Sequence, residues 1–268
     1  DPVFVGGNLG NPLCESIVTG ELDRPGLRVV AEISAFQLTT CDRFRPRVAI
    51  VTNIAEDHLD YHGGFDRYQA AKRRIWDAMT SEDVLILNRD DALIGAWDLP
   101  KGPIIRWFST AGHPEADARL VGGELRISGR LMMTRDELPL LGVHNVANAL
   151  AAGLAASAAG IDLATARRAL MAYTPLRHRL QPVRTVDGVR WVNDSKATNP
   201  NAAMAGIRAI EGPLVLLAGG SVKDTDFTEF GGVAAERARV AILFGTTRHE
   251  IAAAIGDRVP VHVVEDIQ

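Results

Sequence analysis

The stretch from Val48 to Asn88 leaves little freedom in the choice of fold. Val48-Ala49-Ile50-Val51 is a short, continuous apolar run, the pattern of a strand buried on both faces. After Gly63-Gly64 the spacing changes, and Phe65, Tyr68, Ala71, Lys72 and Ile75 recur at helical intervals. A helix is expected over about 65–79, and Val84 to Asn88 supplies the next apolar strand. Strand, helix and strand in this order require parallel pairing and a right-handed crossover. Ligands bind at the carboxyl ends of such strands. The segment at that end here, 53–62, carries Glu56, Asp57, His58, Asp60 and His62. An isolated Asp-His pair in a loop is ordinarily solvated surface. Lys72, set beside Ala70, Ala71 and Ile75 on a small apolar helix face, argues for more than that.

The remaining chain fits the same class. A length of 268 residues suits one large or two medium domains. A hydrophobic share of 47% and a charged share of 23% are those of an ordinary soluble protein. A net charge of −4 without a basic cluster argues against nucleic acid as a partner. No apolar run approaches the roughly 20 residues needed to span a bilayer. The first residues show no secretory pattern. Cys14 and Cys41 are too few for a disulfide framework or a cysteine-built zinc site. A cytoplasmic, monomeric globular protein is expected.

In chain order, Val3-Phe4-Val5 is a short strand that ends in Gly6-Gly7-Asn8-Leu9-Gly10, and Pro12 is expected at the first position of a helix. Arg28 to Ile33 reads as a further buried strand closed by Glu32, a carboxylate that burial tolerates only when paired or metal-bound. From Ile104 to Leu141, short alternating segments separated by Gly and Pro predict a small antiparallel sheet. Gly142 to Gly160 is an alanine-rich helix, and Asp162 caps another that runs to about Ala172. Thr174-Pro175 marks a domain boundary. Beyond it, strands at 189–193, 214–218, 240–244 and 259–264 alternate with helices at about 201–210, 233–238 and 248–255, a second doubly wound α/β unit.

Eight motifs follow one another in order: GNLG at 7–10, EISAFQL at 32–38, NIAEDHLDYH at 53–62, YQAAKRRI at 68–75, GVHNVANALAA at 142–152, LRHRLQ at 176–181, NDSKATN at 193–199 and AGGSVKDTDF at 218–227. The series resembles the ATP-dependent muramyl (Mur) ligases, and EISAFQL resembles the branch that adds D-glutamate. The resemblance implies a central ATPase-type domain with a mostly parallel sheet plus a small antiparallel sheet over 1–174, followed by a Rossmann-like amino-acid-binding domain over 175–268. It implies that ATP phosphorylates the free carboxylate of UDP-MurNAc-L-alanine and that the amine of D-glutamate attacks the acyl phosphate. Positioning and charge neutralisation dominate such chemistry.

The resemblance also assigns roles. Glu32 and His58 match positions that hold Mg²⁺, and Lys72 matches a lysine carbamylated by CO₂ that helps hold the metal. Lys72, His58 and Lys196 form the catalytic set. Asn8 and Ser34 match contacts to the muramyl-alanine substrate. Asn145 and Asn148 match nucleotide-side residues. Their i, i+3 spacing suits them to read an adenine edge, and suits helix-face polarity or capping as well. Arg179 matches a nucleotide-phosphate contact across the domain interface, Asp194 and Lys196 match nucleotide and phosphate contacts, and Thr198 and Lys223 match positions that hold D-glutamate. Two bland alternatives stay open: Lys72 paired with Asp57 or Asp66, and Lys223 as a plain surface lysine.

The chain departs from the family pattern in places. It contains no Gly-Lys dipeptide, whereas the family's phosphate loop ends in Gly-Lys-Ser/Thr just upstream of GNLG. The expectation is an internal fragment, truncated at both ends and inactive alone. Ala35, Gln181 and Ser221-Val222 are smaller departures. A sister ligase for another amino acid and a non-catalytic homologue acting as a binding module are the alternative readings.

Overall fold

The computed structural model describes residues 2–8, 10–221 and 225–265. The chain divides into two compact units, Asp1–Arg106 and Trp107–Gln268.

In the first unit, β1 (Val3–Gly7) pairs in parallel with β2 (Arg28–Glu32), with Val5 opposite Val30 and Gly7 opposite Glu32. Between them lies α1 (Leu13–Val18), whose N-cap is Pro12, one residue outside the helical position expected for it. The expectation of a buried β2 is corrected: Val29 and Val30 are 48% and 58% exposed. Among the described residues its ladder is a two-stranded ribbon, β1 with β2. α2 (Ala35–Thr39) begins at once, because Ser34 and Gln37 form a capping box.

β3 (Val48–Val51) and β4 (Val84–Asn88) form the expected parallel ladder, Val48 opposite Val84. Leu85, Ile86 and Leu87 on β4 are fully buried. The connection contains α3 (Leu59–His62) and α4 (Phe65–Arg73). The helix expected to reach Met79 ends at Arg73 and tightens into a 3₁₀ turn over Arg74–Trp76. There the Trp76 ring turns in against Trp97, with centroids 5.6 Å apart. After β4 comes α5 (Ala92–Gly95). Its cap, Asp91, accepts from Leu93 and Ile94 N–H with one oxygen and from Ile54 N–H with the other, which fixes the chain just beyond β3.

β5 (Ile104–Ser109) carries the chain across the division. In the second unit its end pairs in parallel with β6 (Ala118–Val121), where antiparallel pairing was expected. The eight residues between them, 110–117, allow the chain to return in the same direction, which a tight hairpin would not. β7 (Glu124–Ile127) and β8 (Arg130–Thr134) are antiparallel, as expected. The first hairpin turns on Gly122 and Gly123, both at positive φ. α6 (Val143–Ala158) and α7 (Leu163–Met171) follow, the second capped by Asp162, which accepts from Thr165 N–H at 2.9 Å.

β9 (Gln181–Val186) was not anticipated. It forms an antiparallel hairpin with β10 (Val189–Asn193), so 189–193 does not join the parallel sheet beyond it. α8 (Pro200–Ala209), β11 (Leu214–Gly220), α9 (Thr228–Arg237), β12 (Ala238–Gly245), α10 (Arg248–Ile255) and β13 (Val261–Val263) complete the unit. α9 starts five residues before the expected 233. β11, β12 and β13 are parallel and lie in that order. Their core is built from Met204, Ile207, Phe230, Val233, Ala241, Leu243, Ile251 and Ile255. The expected α/β class, with mostly parallel strands and a small antiparallel sheet, is what the chain forms. No helix among the described residues is long and apolar enough to cross a membrane.

Candidate functional site

The first unit gathers its chemistry at the carboxyl ends of β2 and β3. Asn8 donates from its side-chain amide to Glu32 Oε1 at 2.8 Å, and its N–H donates to the Glu32 carbonyl at 2.7 Å. Thus Asn8 and Glu32, both named from the sequence, are direct partners. Ser34 is committed to its capping box: Gln37 N–H donates to Ser34 Oγ at 3.3 Å. Phe36, the second residue of α2, packs edge-on against His58 with centroids 4.9 Å apart and against Tyr61 at 4.5 Å. His58 stands at φ 53° in the left-handed region, and its N–H donates to Asp57 Oδ1 at 3.0 Å. That conformation is uncommon for a residue with a Cβ and clusters at functional turns.

Lys72 lies above the Tyr68 ring, its Nζ 5.2 Å from the ring centroid. Tyr68 is buried and leans in turn on His62, at 5.3 Å. Burial pushes the Lys72 amine below its ordinary pKa, and the charges of Asp57 and Glu32 pull it part of the way back. The same burial, with Asp57 behind it, pushes the Tyr68 phenol up. The sequence credited Ala70, Ala71 and Ile75 with desolvating Lys72. Ala71 is buried, but Ala70 is exposed, and the aromatic face of Tyr68 does what Ala70 does not. Among the described residues no ion pair of Lys72 with Asp57 or Asp66 is found; Asp57 acts on it through space.

Among the described residues, no three His, Cys, Asp or Glu side chains form a ready-made metal cluster. If Glu32 and His58 were to hold Mg²⁺, as the family pattern implies, a further ligand would have to come from another kind of group. An amine does not suit that hard cation, and a carbamate oxygen on Lys72 does. A carbamylated Lys72 would supply such an oxygen, and Glu32 already acts on Lys72 through space.

The second unit assembles another group. Asn145 donates to the Leu141 carbonyl at 2.7 Å, and Asn148 donates to Asn145 Oδ1 at 3.4 Å. The two asparagines thus lie together on the first turns of α6, and Asn145 also serves the helix end. Asp194 Oδ1 accepts from Leu180 N–H at 2.9 Å. Asn193 Nδ2 lies 3.0 Å from His178 Nδ1, and Lys196 N–H donates to the His178 carbonyl at 3.0 Å. The LRHRLQ and NDSKATN motifs are therefore clasped to each other. His178 and Leu180 adopt left-handed conformations, φ 66° and 42°, to make these contacts.

Burial raises the Asp194 carboxyl, while the Leu180 N–H, His144 and Arg179 lower it. Arg179 acts on Asp194 through space. Lys196 and Thr198 follow on the same turn, with Thr198 N–H donating to the Lys196 carbonyl at 2.9 Å. The next residue, Asn199, caps α8 by accepting from Ala202 N–H at 2.8 Å. Lys223 lies outside the described residues. The sequence reading passed over Tyr68 and His144. Tyr68 was legible at four residues before Lys72 on one helix face, and His144 stood inside a motif valued only for its asparagines.

The profile of the Mur ligase middle domain matches residues 21–156, and that of the Mur ligase glutamate ligase domain matches 178–268. The chain belongs to the Mur ligase family. Glu32, Ser34, His58, Lys72, Asn145 and Asn148 fall within the middle-domain match, and Arg179, Asp194, Lys196, Thr198 and Lys223 within the other. Two curated relatives are named UDP-N-acetylmuramoylalanine–D-glutamate ligase. That of Solibacter usitatus is 35% identical over 97% of this chain and 58% of its own length. That of Pelotomaculum thermopropionicum is 39% identical over 94% of this chain and 55% of its own length. The chain thus spans little more than half the length of the curated relatives it matches. MurF from Acinetobacter baumannii shares the fold, with a TM-score of 0.74 at 21% identity over 98% of this chain and 61% of that one. So does MurF from Thermotoga maritima, solved with ADP, with a TM-score of 0.68 at 17% identity over 98% of this chain and 70% of that one.

Proposed function

We propose that this Mur ligase serves the ATP-dependent addition of D-glutamate to UDP-MurNAc-L-alanine, a cytoplasmic step in building peptidoglycan precursors. The observation that carries the reading is identity of 35% and 39%, over nearly the whole chain, to relatives named for that reaction. ATP phosphorylates the substrate carboxylate, the D-glutamate amine attacks the acyl phosphate, and phosphate leaves. We further assign the ATPase work to residues 1–174 and amino-acid binding to 175–268.

Each named residue has a task in this reading. Asn8 and Ser34 border the muramyl-alanine carboxylate. Glu32, His58 and carbamylated Lys72 would hold Mg²⁺, which supplies charge neutralisation at the phosphates. Tyr68 keeps water from the Lys72 amine. Asn145 and Asn148 present amides to the adenine edge, and Asp194 and Arg179 meet the ribose-phosphate side. Lys196 supplies a cation to the transferred phosphoryl group. Thr198 and Lys223 receive D-glutamate. The test is ADP release by the complete protein against a panel of amino acids with UDP-MurNAc-L-alanine. Turnover with D-glutamate alone supports the reading, and preference for L-alanine, lysine or diaminopimelate overturns it.

A narrower prediction concerns Lys223. Lys223→Ala is expected to raise the KM for D-glutamate about ten- to a hundredfold, the loss of one charge-assisted contact to a carboxylate. The KM for ATP should move far less. Steady-state kinetics varying each substrate in turn decides it, and an unchanged D-glutamate KM removes Lys223 from the amino-acid site.

A further inference from the structure

α8 makes two close approaches on one face. At Gly206 an added Cβ would stand 2.3 Å from Asp194 Oδ2, so the carboxylate rests directly on the helix backbone. One turn on, the Cβ of Ala209 comes within 2.7 Å of where a Cβ on Gly142 would stand. Gly142 itself holds φ 84° immediately before α6. The space its side chain would need is also taken by the His144 ring, whose Cε1 and Nδ1 are 2.7 and 2.9 Å from that point. The imidazole therefore folds back over Gly142 toward α8. His144 also lines a cleft of about 240 Å³ with Val143, Ala205, Arg208 and Ala209. One helix face thus seats both the first turn of α6 and the Asp194 carboxylate.

We propose that His144 is a positioning residue that joins the Asn145–Asn148 turn of α6 to the Asp194–Lys196 turn across α8. The two motifs then meet the nucleotide as one preset surface. The inference rests on the proposed reading that both turns face ATP, and it adds a residue to which that reading gives no task.

The chemistry suits an imidazole. Burial holds His144 below its ordinary pKa, with Asp194 the charge that opposes the shift. The ring and the Asp194 carboxylate act on each other through space, both set on the Gly206–Ala209 face of α8. An aliphatic side chain would leave Asp194 half-buried with Leu180 N–H as its fixed donor and Arg179 as its nearby cation. Without the ring packed over Gly142 the two turns would be less firmly set against α8, and the nucleotide would have to order them on binding, which costs affinity rather than chemistry.

The experiment is a direct titration of the complete protein with ADP, together with steady-state kinetics. His144→Ala is expected to weaken ADP and raise the KM for ATP about tenfold. The kcat at saturating ATP and the KM for D-glutamate should stay within about twofold. His144→Gln, which keeps an N–H donor, should recover most of the loss. Gly206→Ala tests the other half of the joint with His144 intact. Alanine favours the helix, but its Cβ displaces the Asp194 carboxylate, so ADP should again weaken about tenfold without loss of thermal stability. ADP affinity unchanged in either alanine variant, or no recovery with glutamine, overturns the proposal. Because ADP binding is read directly, absence of D-glutamate-dependent turnover would overturn the proposed reaction and leave this test standing.

Discussion

Lys72→Ala is expected to lower turnover of the complete protein by about 10²–10³-fold, the scale of losing one preorganised charge-stabilising group. The fold should survive. Lys72 sits on α4, where alanine is the better helix former, and it makes no ion pair among the described residues. The argument runs through the amine. A lysine near its ordinary pKa of about 10.4 is almost wholly protonated at neutral pH, and only the neutral form attacks CO₂. Burial lowers the Lys72 pKa and so raises the neutral fraction, although Asp57 and Glu32 hold the shift in check. The amine and CO₂ give a carbamate and a released proton, and the group changes from a cation to an anionic oxygen ligand. Carbamylation is therefore favoured as pH rises toward the lowered pKa, and turnover limited by it should rise in that direction. Short carboxylates such as acetate or formate should restore part of the activity of Lys72→Ala by occupying the carbamate's place. A variant that keeps near-normal turnover, or intact-protein and crystal data under CO₂ that show only an unmodified amine, rules the carbamate out.

How far the fold could be read in advance depended on how local its causes were. β3, α4 and β4 are each set by a few consecutive residues, so the apolar run at 48–51 and the helical spacing after Gly64 located them. α4 ended early because Trp76 turns inward to meet Trp97, a partner twenty-one residues on that no short window contains. β9 escaped because it is largely exposed and carries Pro182, so it lacks both the apolar run and the full set of ladder donors. The candidate site divides in the same way. Glu32, His58 and Lys72 were named from motifs, and the Asn8–Glu32 hydrogen bond fits their company. The reason Lys72 is desolvated was assigned to the wrong neighbour, because helix-face composition does not say which residue turns outward: Ala70 does. His144 and Gly206 could not be linked in advance, since their relation exists only where α6 and α8 approach at Gly142 and Ala209.

Asp83→Ala is expected to destabilise the first unit by about 2–4 kcal/mol, the cost of stranding hydrogen-bond donors around a buried carboxylate. Asp83 is fully buried at the head of β4, where its own carbonyl accepts from Ile104 N–H at 2.9 Å. Its carboxylate accepts from Arg45 Nε at 2.8 Å, from Thr80 N–H at 2.8 Å and from Thr80 Oγ1 at 3.2 Å, with Arg47 Nη1 at 3.4 Å. The arginine side chains are 38% and 69% exposed, so solvent screens the ion pairs and most of the loss comes from the unpaired donors. The Arg45 hydrogen bond, helped by Thr80 against the burial penalty, holds the carboxyl at about 2 instead of 3.8. A depressed folded-state pKa stabilises the protein above the unfolded value, and that contribution disappears as pH falls through the folded one. The wild type should therefore lose its advantage over Asp83→Ala between about pH 4 and pH 2, and the two stability curves should converge there. Urea unfolding of both proteins at neutral pH and at stepwise lower pH measures this. A difference below about 0.5 kcal/mol at neutral pH, or one that stays constant into acid, would show that the Asp83 network does not stabilise the fold.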